Sequence, residues 1–237
     1  FIAITNHELR TPVSVLSNIV EILSQELHGH QMEPMVRMIE RSSRQLAEIV
    51  GQMHEISRAK GHRLELLPTL FNLREACQEV LDEFALVLER RHHTVSVDMP
   101  ADLQLVADRV KLKKVVRELA QNAIKFTEDG GQITVYGRAL PDQRVLLAVK
   151  DTGIGIALEH QDKIFTLFYE VGDSLHHHTS KDEFLGGGMG VGLSIVSDIV
   201  AAHRGELKLT SEPGKGSTFT VILPPAIPAS AVVSNVA

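Results

Sequence analysis

Through residues 1–60 the apolar side chains recur at alternating intervals of three and four. Val13, Leu16, Val20, Leu23 and Leu27 form one stripe, and Leu46, Ile49, Met53 and Ile56 form a second. That spacing puts each set on one face of an α-helix and makes a coiled-coil-like seam. The polar, glycine-containing stretch from His28 to Gln31 interrupts the pattern between them, so an antiparallel helical hairpin is expected over 1–60. One hairpin cannot cover both of its own seams. A second copy packed against it, giving a homodimeric four-helix bundle, is the economical solution.

The helical period stops beyond Lys60, and glycine and proline in KGHRLELLP mark a linker over 61–68. A second domain is expected over 69–225. Its pattern predicts a helix over 73–90, strands over 94–98 and 103–106, a helix over 110–126, and two strong strands in GQITVYGRAL and QRVLLAVKD. After a glycine-rich region come a helix from Val191 to about His203 and two strands, GELKLTSE and STFTVILP, joined by the turn PGKG. Strands separated by helices, with antiparallel neighbours near the end, predict an α/β sandwich whose helices cover one face of a mixed sheet. With the hairpin before it, the chain is of the α+β class. The tail over 226–237 has no helical or strand pattern and is expected to be loosely ordered.

The balance of 43% hydrophobic and 23% charged residues over 237 positions is that of an ordinary soluble globular protein. A formal net charge of −6 argues against a nucleic-acid partner but permits a local cationic pocket for a phosphate. Cys77 is the only cysteine, which excludes an internal disulfide and a cysteine metal cluster and suits a buried thiol in a reducing compartment. No apolar run approaches the roughly 18 residues of a membrane span, and no signal peptide is visible. The chain begins inside a helical pattern without Met, so it is expected to be a piece of a longer protein.

Three segments carry candidate chemistry. In RELAQNAIKFT, Glu118 and Asn122 stand four apart on one helical face and can present an acid and an amide to one metal ion. Magnesium that also holds phosphates needs only one or two protein oxygens, so the Asn122 carbonyl is sufficient, and Lys125 can meet a phosphate as a point charge. In KDTGIGI, Asp151 ends a strand and can accept from an exocyclic amine such as that of adenine, while Gly153 and Gly155 let the backbone approach a ligand. In LGGGMGVGLSIV, glycines including Gly188, Gly190 and Gly192 precede a helix, whose free N–H groups can cradle phosphates.

These segments, with KIFTLFYEV between the last two and HELRTP near the start, resemble in order the asparagine, first glycine, phenylalanine and second glycine boxes and the phosphoacceptor box of sensor histidine kinases. The resemblance spans Phe1 to about Pro224. It implies a dimerisation and phosphotransfer hairpin followed by a Bergerat-type ATP-binding domain, with ATP and Mg2+ as cofactors. It makes Asn122 the magnesium ligand, Asp151 the adenine-recognising acid, and Lys125, Gly188, Gly190 and Gly192 phosphate contacts. Phe165 and Phe168 belong to the phenylalanine box at the base of a mobile lid, and Thr218 lies near the adenine end. Glu118 replaces the asparagine found there in many histidine kinases, as in the ATP-hydrolysing relatives. It either polarises an attacking water or holds the metal's hydration shell.

His7 then reads as the phosphoacceptor, a competent nucleophile when neutral. Glu8 orients its ring or takes its proton, Arg10 screens phosphate charge, and Thr11 matches the position that places water for phosphatase activity. Pro12 is expected to kink the helix just beyond. The resemblance implies autophosphorylation of His7 in a homodimer and transfer to an aspartate on a response-regulator receiver domain. It also implies an upstream sensor or transmembrane region outside this chain, and a cytoplasmic core in a full-length protein that can be membrane-anchored. Competing classes are an ATP-binding scaffold without transfer and a Bergerat ATPase. The intact site motifs weigh against the first, and HELRTP weighs against the second. The run His176 to His178 reads as part of the polar lid, because consecutive loop residues rarely converge on one ion.

Overall fold

The computed structural model describes residues 64–167, 169, 171 and 190–225, with six helical positions, 19, 22, 23, 36, 39 and 43, nearer the N-terminus. The chain divides into two compact units, Phe1–Leu64 and Glu65–Ala237. In the first unit Val36 and Ser43 are buried, whereas Ile19 and Ile22 each expose about half of their surface (50% and 56%). The expected hairpin otherwise lies outside the described residues, as does the tail over 226–237.

The second unit begins with strand β1 (Thr69–Asn72), helix α1 (Leu73–Glu83) and helix α2 (Ala85–Arg90). Asn72 starts α1 by accepting the Glu75 N–H on its side chain (3.2 Å). Leu73, Ala76, Cys77, Val80 and Leu81 form its buried face, and full burial pushes the Cys77 thiol up to about 12. The helix expected over 73–90 is thus two helices, broken at Phe84. Because the buried positions Val80, Leu81, Val87 and Leu88 keep a helical spacing across the break, the pattern carried no trace of it.

Strands β2 (Thr94–Asp98) and β3 (Gln104–Ala107), helix α3 (Arg109–Phe126), and strands β4 (Gln132–Ala139) and β5 (Val145–Asp151) follow. A short helix α4 (Leu158–Gln161), helix α5 (Gly192–Ala202), and strands β6 (Glu206–Glu212) and β7 (Gly216–Leu223) complete the unit. The main sheet runs β2-β4-β5-β7-β6, with β2 and β4 parallel and the other neighbours antiparallel. β1 was not foreseen. It is four residues long and pairs only with β3, in a separate ribbon, too short for alternation to declare it.

One face of the main sheet is apolar and one polar. Register puts Ile133, Val135, Leu147, Val149, Phe219 and Val221 on the same face, all buried, where α1, α3 and α5 pack. The opposite face carries Ser96, Thr134, Lys150, Thr218 and Thr220. This is the two-layer sandwich with helices on one side that the pattern predicted. No helix among the described residues is long and apolar enough to cross a membrane.

Candidate nucleotide-binding site

Helix α3 is fixed at its start by Asp108, which is buried. Its Oδ1 accepts from the Lys111 N–H (3.0 Å) and its Oδ2 from the Leu67 N–H (3.0 Å). The Asp108 N–H in turn donates to His203 Nε2 (3.1 Å). His203 therefore carries its proton on Nδ1, which donates to Ile199 O (2.8 Å). That joins the start of α3 to the end of α5. At the other end of the pair, a Cβ added to Gly192 would stand 2.5 Å from Glu118 Oε2. The two helices run antiparallel, and the absence of a side chain at Gly192 makes room for the Glu118 carboxylate at the start of α5. A helix N-terminus favours a negative group there.

Glu118 and Asn122, both half-buried, lie one turn apart on α3. Their oxygens are the hard donors that magnesium takes. Two such oxygens one turn apart suit an ion that fills most of its shell from phosphates and water. Lys125 follows in the last turn, its Nζ 4.7 Å from the centroid of the Phe126 ring.

The loop after β5 is welded to that turn. Ile154 N–H donates to Phe126 O (3.0 Å), and a Cβ at Gly153 would stand 2.2 Å from the same oxygen. Asp151 is buried. Its Oδ1 accepts from the Gly153 N–H (2.8 Å) and the Ser217 N–H (3.1 Å), while Oδ2 is uncommitted among the described residues. Burial raises its pKa, and the two N–H bonds work against that shift. Gly155 adopts φ +67 with Glu212 O against its Cα, where a Cβ would be 2.0 Å away. Only glycine meets both conditions.

Ser217 was missed from sequence. Register pairs Thr218 with Lys150 and Phe219 with Val149, which sets Thr218 on the polar face, opposite to Asp151. The hydroxyl on the Asp151 face belongs to Ser217. The strand's own alternation, Ser217-Phe219-Val221-Leu223, held that information. Ser211 is also unforeseen. Its Oγ accepts from the Ile156 N–H (2.8 Å), donates to Gly216 O (3.0 Å) and lies 3.0 Å from Ser217 Oγ. Having spent its one proton, it receives that of Ser217.

Phe165 is half-buried and meets the core Phe219 edge-on, with 6.4 Å between centroids and 82° between planes. Gly190, at φ +62, lies against the backbone of Tyr169, whose hydroxyl is 2.7 Å from His160 Nδ1. The two ends of the intervening segment therefore meet. Phe168, Gly188 and the histidines 176–178 lie outside the described residues, as do His7, Glu8 and Thr11.

The fold and these residues define an α/β sandwich in which Asp151 at the end of β5 and Glu118, Asn122 and Lys125 on α3 stand on either side of the joined loop and turn. Residues 107–227, just over half the chain, match the histidine kinase-, DNA gyrase B- and HSP90-like ATPase family, and residues 1–61 match the His kinase A phosphoacceptor domain. The chain belongs to this ATPase family and, by the combination of the two domains, to the sensor histidine kinases. It is 30% identical over 232 residues to the adaptive-response sensory kinase SasA of Thermosynechococcus vestitus, covering 94% of this chain and 59% of that protein. It spans a little over half the length of the curated relatives it matches. Full-length ShkA, solved with AMPPNP, superposes with a TM-score of 0.79 at 24% identity, over 94% of this chain and 45% of that one. Histidine kinase ThkA, solved with response regulator protein TrrA, gives 0.65 at 24% identity, over 94% and 60%. Both likenesses show the fold.

Proposed function

We propose that the chain is the ATP-dependent kinase core of a two-component system, which phosphorylates its own His7 as a homodimer and passes the group to an aspartate of a response-regulator receiver domain. The observation that carries the reading is the meeting of three separated motifs, with Glu118 against Gly192 and Ile154 on Phe126 O. Residues 1–60 serve as the dimerisation and phosphotransfer hairpin, 61–68 as linker, and 69–225 as the catalytic ATP-binding domain, followed by the tail. The exposed Ile19 and Ile22 support a partner-covered helical surface. The core works in the cytoplasm, downstream of a sensor or membrane-anchored region outside this chain.

Asp151 Oδ2 accepts from the exocyclic amine of adenine, with the Ser217 hydroxyl beside it. Asn122 would hold Mg2+, Glu118 would orient the waters of its shell, and Lys125 would meet a phosphate. An ion held there would supply positive charge against the phosphates. Gly188, Gly190 and Gly192 would meet the phosphates, and Phe165 and Phe168 would belong to the base of a lid. An imidazole nitrogen of His7 attacks the γ-phosphorus as the bond to the bridging β–γ oxygen breaks, ADP leaves, and Glu8 takes the imidazole proton. The transition state demands little beyond alignment and charge neutralisation. Thr11 places the water with which the same hairpin dephosphorylates the regulator.

Incubation with γ-labelled ATP and magnesium tests the proposal, with wild type beside His7→Gln. Acid-labile, alkali-stable label on wild type alone is the expected result. No label on either, with ATP binding intact, overturns the kinase reading.

A further inference from the structure

Arg91 follows α2 and stands outside every motif of the nucleotide site, yet only 4% of it is exposed. Its Nη1 donates to Ile124 O, its Nη2 to Thr127 O (2.7 Å) and its Nε to Asp129 Oδ1 (2.7 Å). The two carbonyls flank Lys125 and Phe126 at the end of α3. Of the two carbonyls between them, that of Phe126 is taken by Ile154 N–H of the Asp151 loop. The last turn of α3 is therefore held from two directions, by a buried cation and by the loop that carries the base-recognising acid. Backbone bonds tighten the grip: Gly130 N–H donates to Arg91 O and Thr94 N–H to Gly131 O, both at 2.9 Å. His93 Nε2 lies 3.1 Å from Glu128 O.

The final carbonyls of a helix have no intrahelical donors and form the negative end of its dipole. Lys125 and Asn122 stand in and just before this turn, so a triphosphate brought to them approaches that negative end. A guanidinium spanning two of its carbonyls has two effects. It prevents the turn from fraying, which keeps Lys125 in register with Asn122, and it offsets the carbonyl charge where the phosphates arrive.

We infer that Arg91 is a positioning residue for the phosphate end of the nucleotide site, acting through the last turn of α3 on Lys125 and Asn122 without touching the nucleotide. This rests on the nucleotide-binding reading above. Its chemical signature is selectivity: the contribution belongs to the phosphates and not to the base, which Asp151 reads from β5.

The test compares Mg-ATP with adenosine on the full 237-residue chain, at a temperature well below each variant's unfolding transition. ATP affinity is read calorimetrically and adenosine affinity by the shift of the Gly153 amide resonance. Arg91→Met is expected to weaken Mg-ATP about tenfold, or about 1.4 kcal/mol, and to leave adenosine within about twofold. Arg91→Lys keeps the charge but loses the fork, so it is expected to recover part of the loss, at about threefold. If Arg91→Met does not fold, Arg91→Lys decides alone, by the same split between ATP and adenosine. Arg144→Gln, at a half-buried surface cation paired with Asp142 at the opposite end of β5, is expected to change neither ligand. Equal loss for both ligands, or no loss for either in folded variants, overturns the inference. Wild type that binds neither ligand overturns the nucleotide reading itself, a failure separate from that of Arg91.

Discussion

Asp151→Asn separates recognition from architecture. In wild type, Oδ1 holds the Gly153 and Ser217 amides, and an asparagine carbonyl can hold both. What changes is the other atom, where an amide nitrogen donates in place of an oxygen that accepts. Adenine then loses a hydrogen bond to a charged acceptor, worth about 1.5–3 kcal/mol, so ATP affinity is expected to fall between about tenfold and 150-fold. Stability is expected to hold or rise, because a carboxylate whose pKa is raised by burial is replaced by a neutral group. The sign follows from linkage: a raised folded-state pKa contributes stability at low pH that is lost as pH rises through it. The advantage of Asp151→Asn over wild type should therefore be larger at pH 7 than at pH 4. Asp151→Ala leaves two buried N–H groups without an acceptor, at about 1–3 kcal/mol each. For a unit of this size that is roughly 5–20 °C in Tm. Inosine triphosphate, with a carbonyl where ATP has the amine, should bind Asp151→Asn better than it binds wild type. Thermal shift and calorimetry across the three proteins read all of this. Native ATP affinity in Asp151→Asn would refute the assignment of the base pocket.

Two further outcomes concern the fold. Burial, with the Arg91 charge beside it, lowers the pKa of His93, so the stability tied to its neutral form is present above about pH 6.5. It is lost as pH falls below that value and through the depressed folded pKa. The urea midpoint of wild type relative to His93→Leu should be level above about pH 7 and decline below about 6.5, and a level difference throughout would refute it. Gly155→Ala meets a left-handed φ and a carbonyl oxygen at 2.0 Å, whereas Gly130→Ala meets only a left-handed φ of +81 in open space. The first should lower Tm clearly further than the second, since overpacking adds about 1–3 kcal/mol to a backbone cost of about 1–2, and equal losses would refute the close contact.

Period and punctuation made most of the second unit legible. The strand over 94–98 is found where alternation put it, and α3 and α5 begin and end within a residue of expectation. Local signals failed where a longer-range partner decides the outcome. β1 exists because β3 pairs with it, and the break at Phe84 leaves no mark on a pattern whose spacing continues through it. In the site, residues on motifs could be named, and those that act through backbone groups could not. Arg91, Ser211 and Asp108 are ordinary polar residues in the sequence, and their importance lies in which distant N–H or carbonyl they reach. A one-residue step along a strand changes the face, and it is Ser217, in the alternation Ser217-Phe219-Val221, that shares the face of Asp151, with Thr218 on the other.

The order of strands leaves β2 and β6 at the borders of the sheet, with charged side chains along β6 and one, Asp98, at the end of β2. On β6, Glu206 pairs with Lys208 (2.8 Å) and Glu212 with Lys215 (2.6 Å), while Asp98 on β2 pairs with Arg138 (2.7 Å). Bare strand edges invite pairing with other chains, and charged side chains discourage it. Two copies joined through their N-terminal helices would hold their sheets at a local concentration in the millimolar range, where an unguarded edge would fuse them. Charged borders would let two such sheets be crowded together without pairing edge to edge.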